Sequence, residues 1–302
     1  MTKSSLFPRR TFLKGAALSS LALPVGGRSH GSAEPPKSPL KICAFIKFIQ
    51  DLPYKQLADT VAELGFDGIE ATVRDGGHVL PERVEEDLPK LVEALKSVGL
   101  EITVMASSVN SLAQPHTRTV LRTAAALGIK RYRLAYYRYD NKKPILDQLD
   151  SLKPILKDLT QFHSKLGLQG VYQNHAGARS VGAPVWDLQR LMANHPVKDL
   201  AIAFDIRHAT VEGGLSWPLQ FQLSQSHLGA VYVKDFTWDK NRKPVNVPLG
   251  TGHVDTRFFS LLKESPFTGP ISLHVEYLPK AGVAANITAL KNDLATLRKL
   301  LA

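Results

Sequence analysis

Short apolar, β-branched runs alternate with segments of helical periodicity eight times between residues 41 and 300. Few architectures accept that pattern. The runs fall at 41–49, 66–72, 101–106, 130–135, 169–174, 200–205, 229–235 and 270–276. Their lengths suit buried strands rather than helices. Helices are predicted over 54–64, 82–98, 116–127, 144–166, 184–193, within 215–226, and over 256–263 and 283–300. Gly65, Gly99, Gly128 and Gly167 directly follow the first four. Glycine accepts the left-handed conformation that closes a helix. Strand, helix and strand in succession imply parallel strands joined by crossover helices. Eight such units predict an α/β fold, a closed (β/α)8 barrel in one domain over residues 41–302.

A doubly wound open sheet is the competing arrangement. It would carry a glycine-rich phosphate loop after the first strand. Here that strand leads into Phe48, Ile49, Gln50 and Asp51, with no glycine. Gly213-Gly214 and Gly250-Thr251-Gly252 lack the Lys-Ser/Thr of a P-loop. Nucleotide binding through either motif is therefore not expected.

The residues before the first strand read differently. Arg9-Arg10-Thr11-Phe12-Leu13-Lys14 precedes a modest apolar stretch at 16–25, interrupted by Ser19, Ser20 and Pro24. The stretch is shorter than the ~20 apolar residues of a spanning helix. The pattern resembles a twin-arginine export signal over residues 1–33, followed by a Pro-rich linker over 34–40. Periplasmic or other exported localisation is the corresponding expectation, with no stable membrane insertion of the mature chain.

The formal net charge is +11, and five of the basic residues lie before the first acid, Glu34. The rest of the excess is spread along the chain. Its densest cluster, Lys130-Arg131-Tyr132-Arg133 with Arg138, is read mostly as a solvated face. Nucleic-acid binding would call for a concentrated basic stripe with aromatic platforms, so no such partner is expected. Cys43 is the single cysteine, which rules out an intrachain disulfide.

Function is sought where the strands end. Side chains at the C-terminal ends of barrel strands converge on one face. The fifth run stops at Gln173, Asn174 and His175, the sixth at Asp205 with His208 beyond it, the seventh at Lys234 and Asp235, and the eighth at Glu276. Glu70 ends the second. Asp205 either serves a site or caps the helix that follows. Lys234 either stabilises an enolate or closes a salt bridge across the mouth. Glu276 can act as a base or ligate a metal. Asn174, His175 and Glu70 suit sugar hydroxyls, Arg179 an anionic group, and Trp217 and Trp238 the face of a sugar ring. An enzyme is the leading reading.

These residues in this order resemble the xylose isomerase-like TIM barrel superfamily, which includes sugar phosphate isomerases and epimerases. The resemblance rests on FDGIE at 66–70, YQNH at 172–175, DIRHA at 205–209, VYVKDF at 231–236, PLGTGHVD at 248–255 and HVEY at 274–277. It implies a divalent metal (Mn, Mg, Zn or Co) held by Glu, Asp, His and Glu. By position these fall at Gln173, Asp205, Tyr232 and Glu276, with His208 a substitute ligand. Two of the four are altered, so a degenerate metal site is expected. It also implies proton abstraction next to a sugar carbonyl by Glu276, or by His208 or Lys234, with Lys234 or a metal on the enolate. Gln173 cannot take a proton, which favours one-base chemistry over a symmetric two-base epimerisation. A keto-glycoside β-eliminating lyase and a non-catalytic sugar-binding barrel are the alternatives.

Overall fold

Each of the eight apolar runs becomes a strand. In the computed structural model, which describes residues 40–302, these are β1 (Ile42–Phe45), β2 (Gly68–Val73), β3 (Glu101–Ser107), β4 (Arg131–Arg133), β5 (Gln169–Gln173), β6 (Leu200–Asp205) and β7 (Leu228–Val233), followed after a short hairpin, β8 (Asp235–Trp238) and β9 (Pro244–Val247), by β10 (Ile271–Leu273). The export-signal segment 1–33 and linker residues 34–39 lie outside the described residues. The α-helices are α1 (Tyr54–Leu64), α2 (Val84–Ser97), α3 (Thr117–Ala126), α4 (Ile145–Leu166), α5 (Trp186–Met192), α6 (Ile206–Gly213), α7 (Trp217–Ser224), α8 (Arg257–Glu264) and α9 (Gly282–Leu301).

The eight barrel strands pair in parallel, and the sheet closes where β1 meets β10 with Ile42 opposite Ile271 and Ala44 opposite Leu273. The expected (β/α)8 barrel is therefore present. The four helix-ending glycines all take positive φ: 84° at Gly65, 76° at Gly99, 87° at Gly128 and 65° at Gly167. Only glycine enters that region without a Cβ penalty.

Parallel strands covered on both faces read as continuous apolar runs. The period-two alternation of a strand then decides which residues enter the barrel. In β7, Ala230 and Tyr232 join Val104, Val171, Ala201 and Ala203 in a small inner cluster. Val231 and Val233 face the helical layer, where they join Phe204, Phe221, Phe258, Leu262 and Leu297 in the larger core. Burying one such side chain stabilises the fold by about 1.5–3 kcal/mol. Three alanines in the inner cluster leave room for the Tyr232 ring, whose hydroxyl is buried without a hydrogen-bond partner. Tyr232 therefore points into the barrel, on the same face as Lys234 two residues later.

Two elements depart from the sequence reading. The run at 229–235 predicts one strand, but β7 ends at Val233 and Asp235 opens the antiparallel β8–β9 hairpin. The physical cause is the Asp235 carboxylate. It accepts the backbone N–H groups of Phe236, Gly250, Gly252 and Val254 at 2.8–3.0 Å, and so draws the loop after the hairpin around itself. A Cβ at Gly252 would collide with that carboxylate and with the Phe236 carbonyl. The second departure is α6, which starts immediately after β6. Asp205 is its N-cap, accepting from the His208 backbone N–H at 3.1 Å.

Candidate active site

At the C-terminal ends of β5, β6, β7 and β10 the inward-facing positions become polar. Asp205 ends β6 and is fully buried. One oxygen, Oδ1, caps α6. The other, Oδ2, accepts from the Gln173 amide at 2.7 Å and lies 3.3 Å from Lys234 Nζ. The helix-capping reading of Asp205 is thus realised by Oδ1, while Oδ2 faces the polar cluster at the mouth. Lys234 in turn donates to Glu276 Oε2 at 2.8 Å. Glu276 Oε1 lies 3.7 Å from Lys47 Nζ, and the Glu276 side chain retains 17% exposure. That opening gives it a path to a molecule in the barrel mouth.

The charges support one another. Burial opposes the Lys234 charge, but the Asp205 and Glu276 carboxylates outweigh it and raise the lysine above its ordinary value. Burial likewise works against the Glu276 charge, yet Lys234, with His274 and Lys47, holds the carboxyl well below the usual range. At neutral pH the pair is an ammonium beside a carboxylate.

Two histidines flank it. Their rings pack at 4.0 Å between centroids, tilted by 36°. Burial, then the nearby Lys234 charge, pushes His175 down to about 4 and His208 well below its ordinary value. Both are neutral near pH 7. His175 donates from Nδ1 to the Ala176 carbonyl at 2.9 Å. Its Nε2 then carries a lone pair and can accept from a hydroxyl.

One layer below, Glu70 is fully buried. It meets Arg133 Nε at 3.0 Å, His274 Nε2 at 2.8 Å and Ser272 Oγ at 2.6 Å. Burial would raise its pKa, but the Arg133 and His274 contacts outweigh it and hold the carboxyl at about 2. Arg133 continues upward, donating to Gln173 Oε1 at 2.5 Å and to the Tyr136 hydroxyl at 2.9 Å. Tyr136 also donates to Gln173 Oε1. Gln173 thus links the two layers, accepting from Arg133 and Tyr136 and donating to Asp205.

Asp205, His208, Lys234, Glu276, Gln173 and His175 come together as the sequence suggests. Other candidates are placed elsewhere. Asn174 is fully buried and spends its amide on the Asp205 backbone, at 2.6 and 3.0 Å, so it positions the aspartate instead of binding sugar. Glu70 lies beneath the mouth, with Oε2 hydrogen-bonded to Ser272 and His274 and Oε1 ion-paired with Arg133. Trp217 is in the core, 3% exposed and edge-on to Phe258, because α7 buries that face against the barrel. Arg179 is exposed and donates to the Tyr139 carbonyl at 2.9 Å. Trp238 lies on the β8–β9 hairpin, packed on Phe236 and 43% exposed.

Arg133 and Tyr136 belong to the site although no motif points to them. The basic cluster at 130–133 reads as a solvated face, yet Arg133 is 6% exposed and points into the barrel. The available signal is the strand period, which turns Arg133 to the face opposite Tyr132.

The match of a known family profile runs over residues 58–300, nearly the whole barrel, and that profile describes the xylose isomerase-like TIM barrel. The chain belongs to the xylose isomerase-like TIM barrel family. Among solved structures of this fold, it is similar to the apo form of 3-keto-D-glucoside 4-epimerase from E. coli, with a TM-score of 0.66 and 17% identity over 86% of this chain and 100% of that one. It is also similar to D-allulose 3-epimerase from Methylomonas sp., with a TM-score of 0.66 and 16% identity over 88% of this chain and 99% of that one. A third is the probable 3-DHS dehydratase from Bacillus anthracis, with a TM-score of 0.65 and 16% identity over 86% of this chain and 99% of that one. No curated protein matches the chain by sequence.

The donor atoms decide whether the metal expected of this family fits. Among the described residues, no three or more His, Cys, Asp or Glu side chains are grouped to hold a metal ion. Gln173 turns its N–H, not its carbonyl oxygen, toward Asp205. Its oxygen already accepts from Arg133 and Tyr136. The Lys234 ammonium lies between the two carboxylates that remain. As they are arranged, Gln173, Asp205, His208 and Glu276 do not converge their lone pairs on a divalent cation.

Proposed function

We propose that this barrel is a carbohydrate isomerase- or epimerase-like enzyme that removes a proton next to a carbonyl, with Glu276 as the base and Lys234 as the enolate-stabilising cation. The observation that carries the reading is the Lys234–Glu276 pair, 2.8 Å apart at the mouth, with the carboxylate partly open to solvent. A ketose or keto-glycoside carbonyl oxygen takes a hydrogen bond from the ammonium. Glu276 then takes the adjacent C–H proton, and the electron pair moves onto the carbonyl oxygen as an enolate. Developing negative charge beside a fixed, poorly solvated ammonium is strongly stabilised. For isomerisation the protonated Glu276 gives the proton to the former carbonyl carbon while the hydroxyl proton of the adjacent carbon passes to the enolate oxygen, so the carbonyl moves by one carbon. Return to the same carbon on the same face regenerates the substrate and gives solvent exchange only. His175, held neutral, accepts from a substrate hydroxyl.

Gln173 cannot take up a proton as a carboxylate would, so the reading is a one-base process. The similarity to epimerases of a keto-glucoside and of a free ketose supports a carbonyl-bearing sugar as substrate. The similarity to a probable dehydratase keeps elimination from the enolate as the second outcome.

Incubation with free and 3-keto sugars in deuterated buffer tests the reading. Incorporation of solvent deuterium next to the carbonyl, without loss of a leaving group, is the expected result. Loss of the leaving group reassigns the protein as a lyase. Binding of the panel with no exchange leaves a sugar-binding barrel and ends the enzyme reading.

We also propose export by the twin-arginine route, on the strength of the Arg9-Arg10 motif. Replacing Arg9 and Arg10 with lysine should retain the protein inside the cell. Unchanged export of that variant would remove the assignment.

A further inference from the structure

We propose that Lys234 serves as an internal cation in the place where a divalent ion would bridge Asp205 and Glu276, and that it keeps such an ion out. This holds whether the site isomerises, eliminates or only binds, so it does not depend on the function proposed above.

Donors already face three of the four carboxylate oxygens, while Glu276 Oε1 has Lys47 Nζ at 3.7 Å. A bound divalent ion needs several lone pairs converging on one point about 2.0–2.3 Å away. Here the lone pairs are engaged by N–H groups. Asp205 Oδ1 accepts from the His208 backbone, and Oδ2 from the Gln173 amide at 2.7 Å, with Lys234 Nζ at 3.3 Å. Glu276 Oε2 accepts from Lys234 at 2.8 Å. Gln173 Oε1 accepts from Arg133 and Tyr136.

His208 is the remaining candidate ligand. Its Nδ1 lies 3.1 Å from Arg207 Nη1. A guanidinium has only donors, so Nδ1 must be the acceptor and the ring proton sits on Nε2. Nε2 is buried with no hydrogen-bond partner, 3.6 Å from Asp205 Oδ2. It therefore points an N–H, not a lone pair, toward the carboxylate. Apart from Glu276 Oε1, the groups that meet the two carboxylates present donors rather than lone pairs.

Charge balance agrees. Asp205, Glu276 and Glu70 contribute three negative charges to the barrel interior and mouth. Lys234 and Arg133 offset two, and Lys47 approaches Glu276 at 3.7 Å. A further +2 would lie within a few ångströms of a fixed ammonium, with no carboxylate left to compensate it. Removing the ammonium reverses this, because it frees the buried Asp205 and the half-buried Glu276 carboxylates and lets the His208 ring change tautomer.

Tag-free protein produced with excess Mn2+ and Zn2+ is analysed for bound metal. The same protein is titrated with each ion by calorimetry and by thermal melting. Wild type is expected to hold far less than one ion per chain, and its melting temperature should be indifferent to chelator. Lys234→Met is expected to bind Mn2+ or Zn2+ at least tenfold more tightly than wild type, and to melt higher when the ion is added. Lys234→Arg should behave as wild type, since it keeps the cation. One ion per chain in wild type would overturn the proposal. So would equally weak binding by wild type and Lys234→Met, because lysine would then not be what excludes the ion. Should Lys234→Met fail to fold, Lys234→Gln carries the same comparison.

Discussion

The Gln173 side chain donates its amide N–H to Asp205 Oδ2 at 2.7 Å, deep in the barrel where both residues are at most 1% exposed. A neutral donor is what a buried carboxylate needs from that position. A second carboxylate there would face Asp205 at hydrogen-bonding distance, and like charges this close cannot both ionise freely. Gln173→Glu should therefore raise the titration of one carboxyl of the pair above the ordinary carboxylate range, visible by carbon-13 NMR of labelled side chains. Its stability should fall by about 1–3 kcal/mol at pH 8 and recover by pH 5, since every tenfold change in a protonation equilibrium corresponds to ~1.4 kcal/mol. Equal stability at both pH values would mean that Arg133 and Lys234 fully absorb the new charge.

Glu276 is the proposed base, and its partner is a charged lysine at 2.8 Å. Glu276→Gln keeps the size and the hydrogen-bonding oxygen but removes the basicity. Solvent exchange into a competent sugar should drop by at least ~10²-fold, the usual contribution of a positioned general base. Sugar binding should change far less, as calorimetry would show. Exchange at the wild-type rate would transfer the role of base away from Glu276.

Glu70 bears on stability. Its carboxyl is held at about 2, against an ordinary value of 4.5, once Arg133 and His274 have outweighed burial. A depressed acid contributes stability that is present above 4.5 and is lost as pH falls through 4.5 toward 2. Breaking a buried pair costs about 3–5 kcal/mol, because the remaining charge loses its partner. Glu70→Gln should lower the unfolding free energy by about that amount at pH 7. It should also flatten the acid limb of the stability curve between pH 4.5 and 2. Urea denaturation across that range measures both.

Asp293 works in the opposite sense. It sits on α9, 3% exposed, and accepts from the Leu249 N–H at 3.3 Å and the Tyr277 hydroxyl at 3.2 Å. Burial raises its carboxyl to about 6, and the nearby Asp235 adds to the effect despite those two hydrogen bonds. A raised acid prefers its protonated form in the folded state. Its stabilising protonation is fully present below 3.8 and is lost as pH rises through 6. Asp293→Asn keeps an acceptor oxygen without the charge. It should gain up to about 3 kcal/mol at pH 8 and nothing at pH 3.5, read from the same urea curves. A gain that is constant with pH would place the effect in packing rather than in charge.

Much of this molecule is determined locally and is therefore visible in the sequence. The eight apolar runs form the eight barrel strands, and Gly65, Gly99, Gly128 and Gly167 stop their helices, because strand periodicity and backbone freedom belong to neighbouring residues. The polar residues at the strand ends are also legible, since parallel strands in a closed barrel must end on one face. What local pattern does not supply is which of those residues meet. Arg133 reads as part of a solvated cluster, because a basic residue on a short strand is judged by its usual exposure. Only barrel closure puts it 3.0 Å from Glu70, far away in sequence. Asn174 reads as a sugar ligand until β5 and β6 are paired, when its amide holds the Asp205 backbone. Trp217 reads as available until α7 is packed on the barrel. The Lys234 ammonium between Asp205 and Glu276 is decided in the same way, by distances among the ends of β6, β7 and β10 that the register of the closed sheet alone sets.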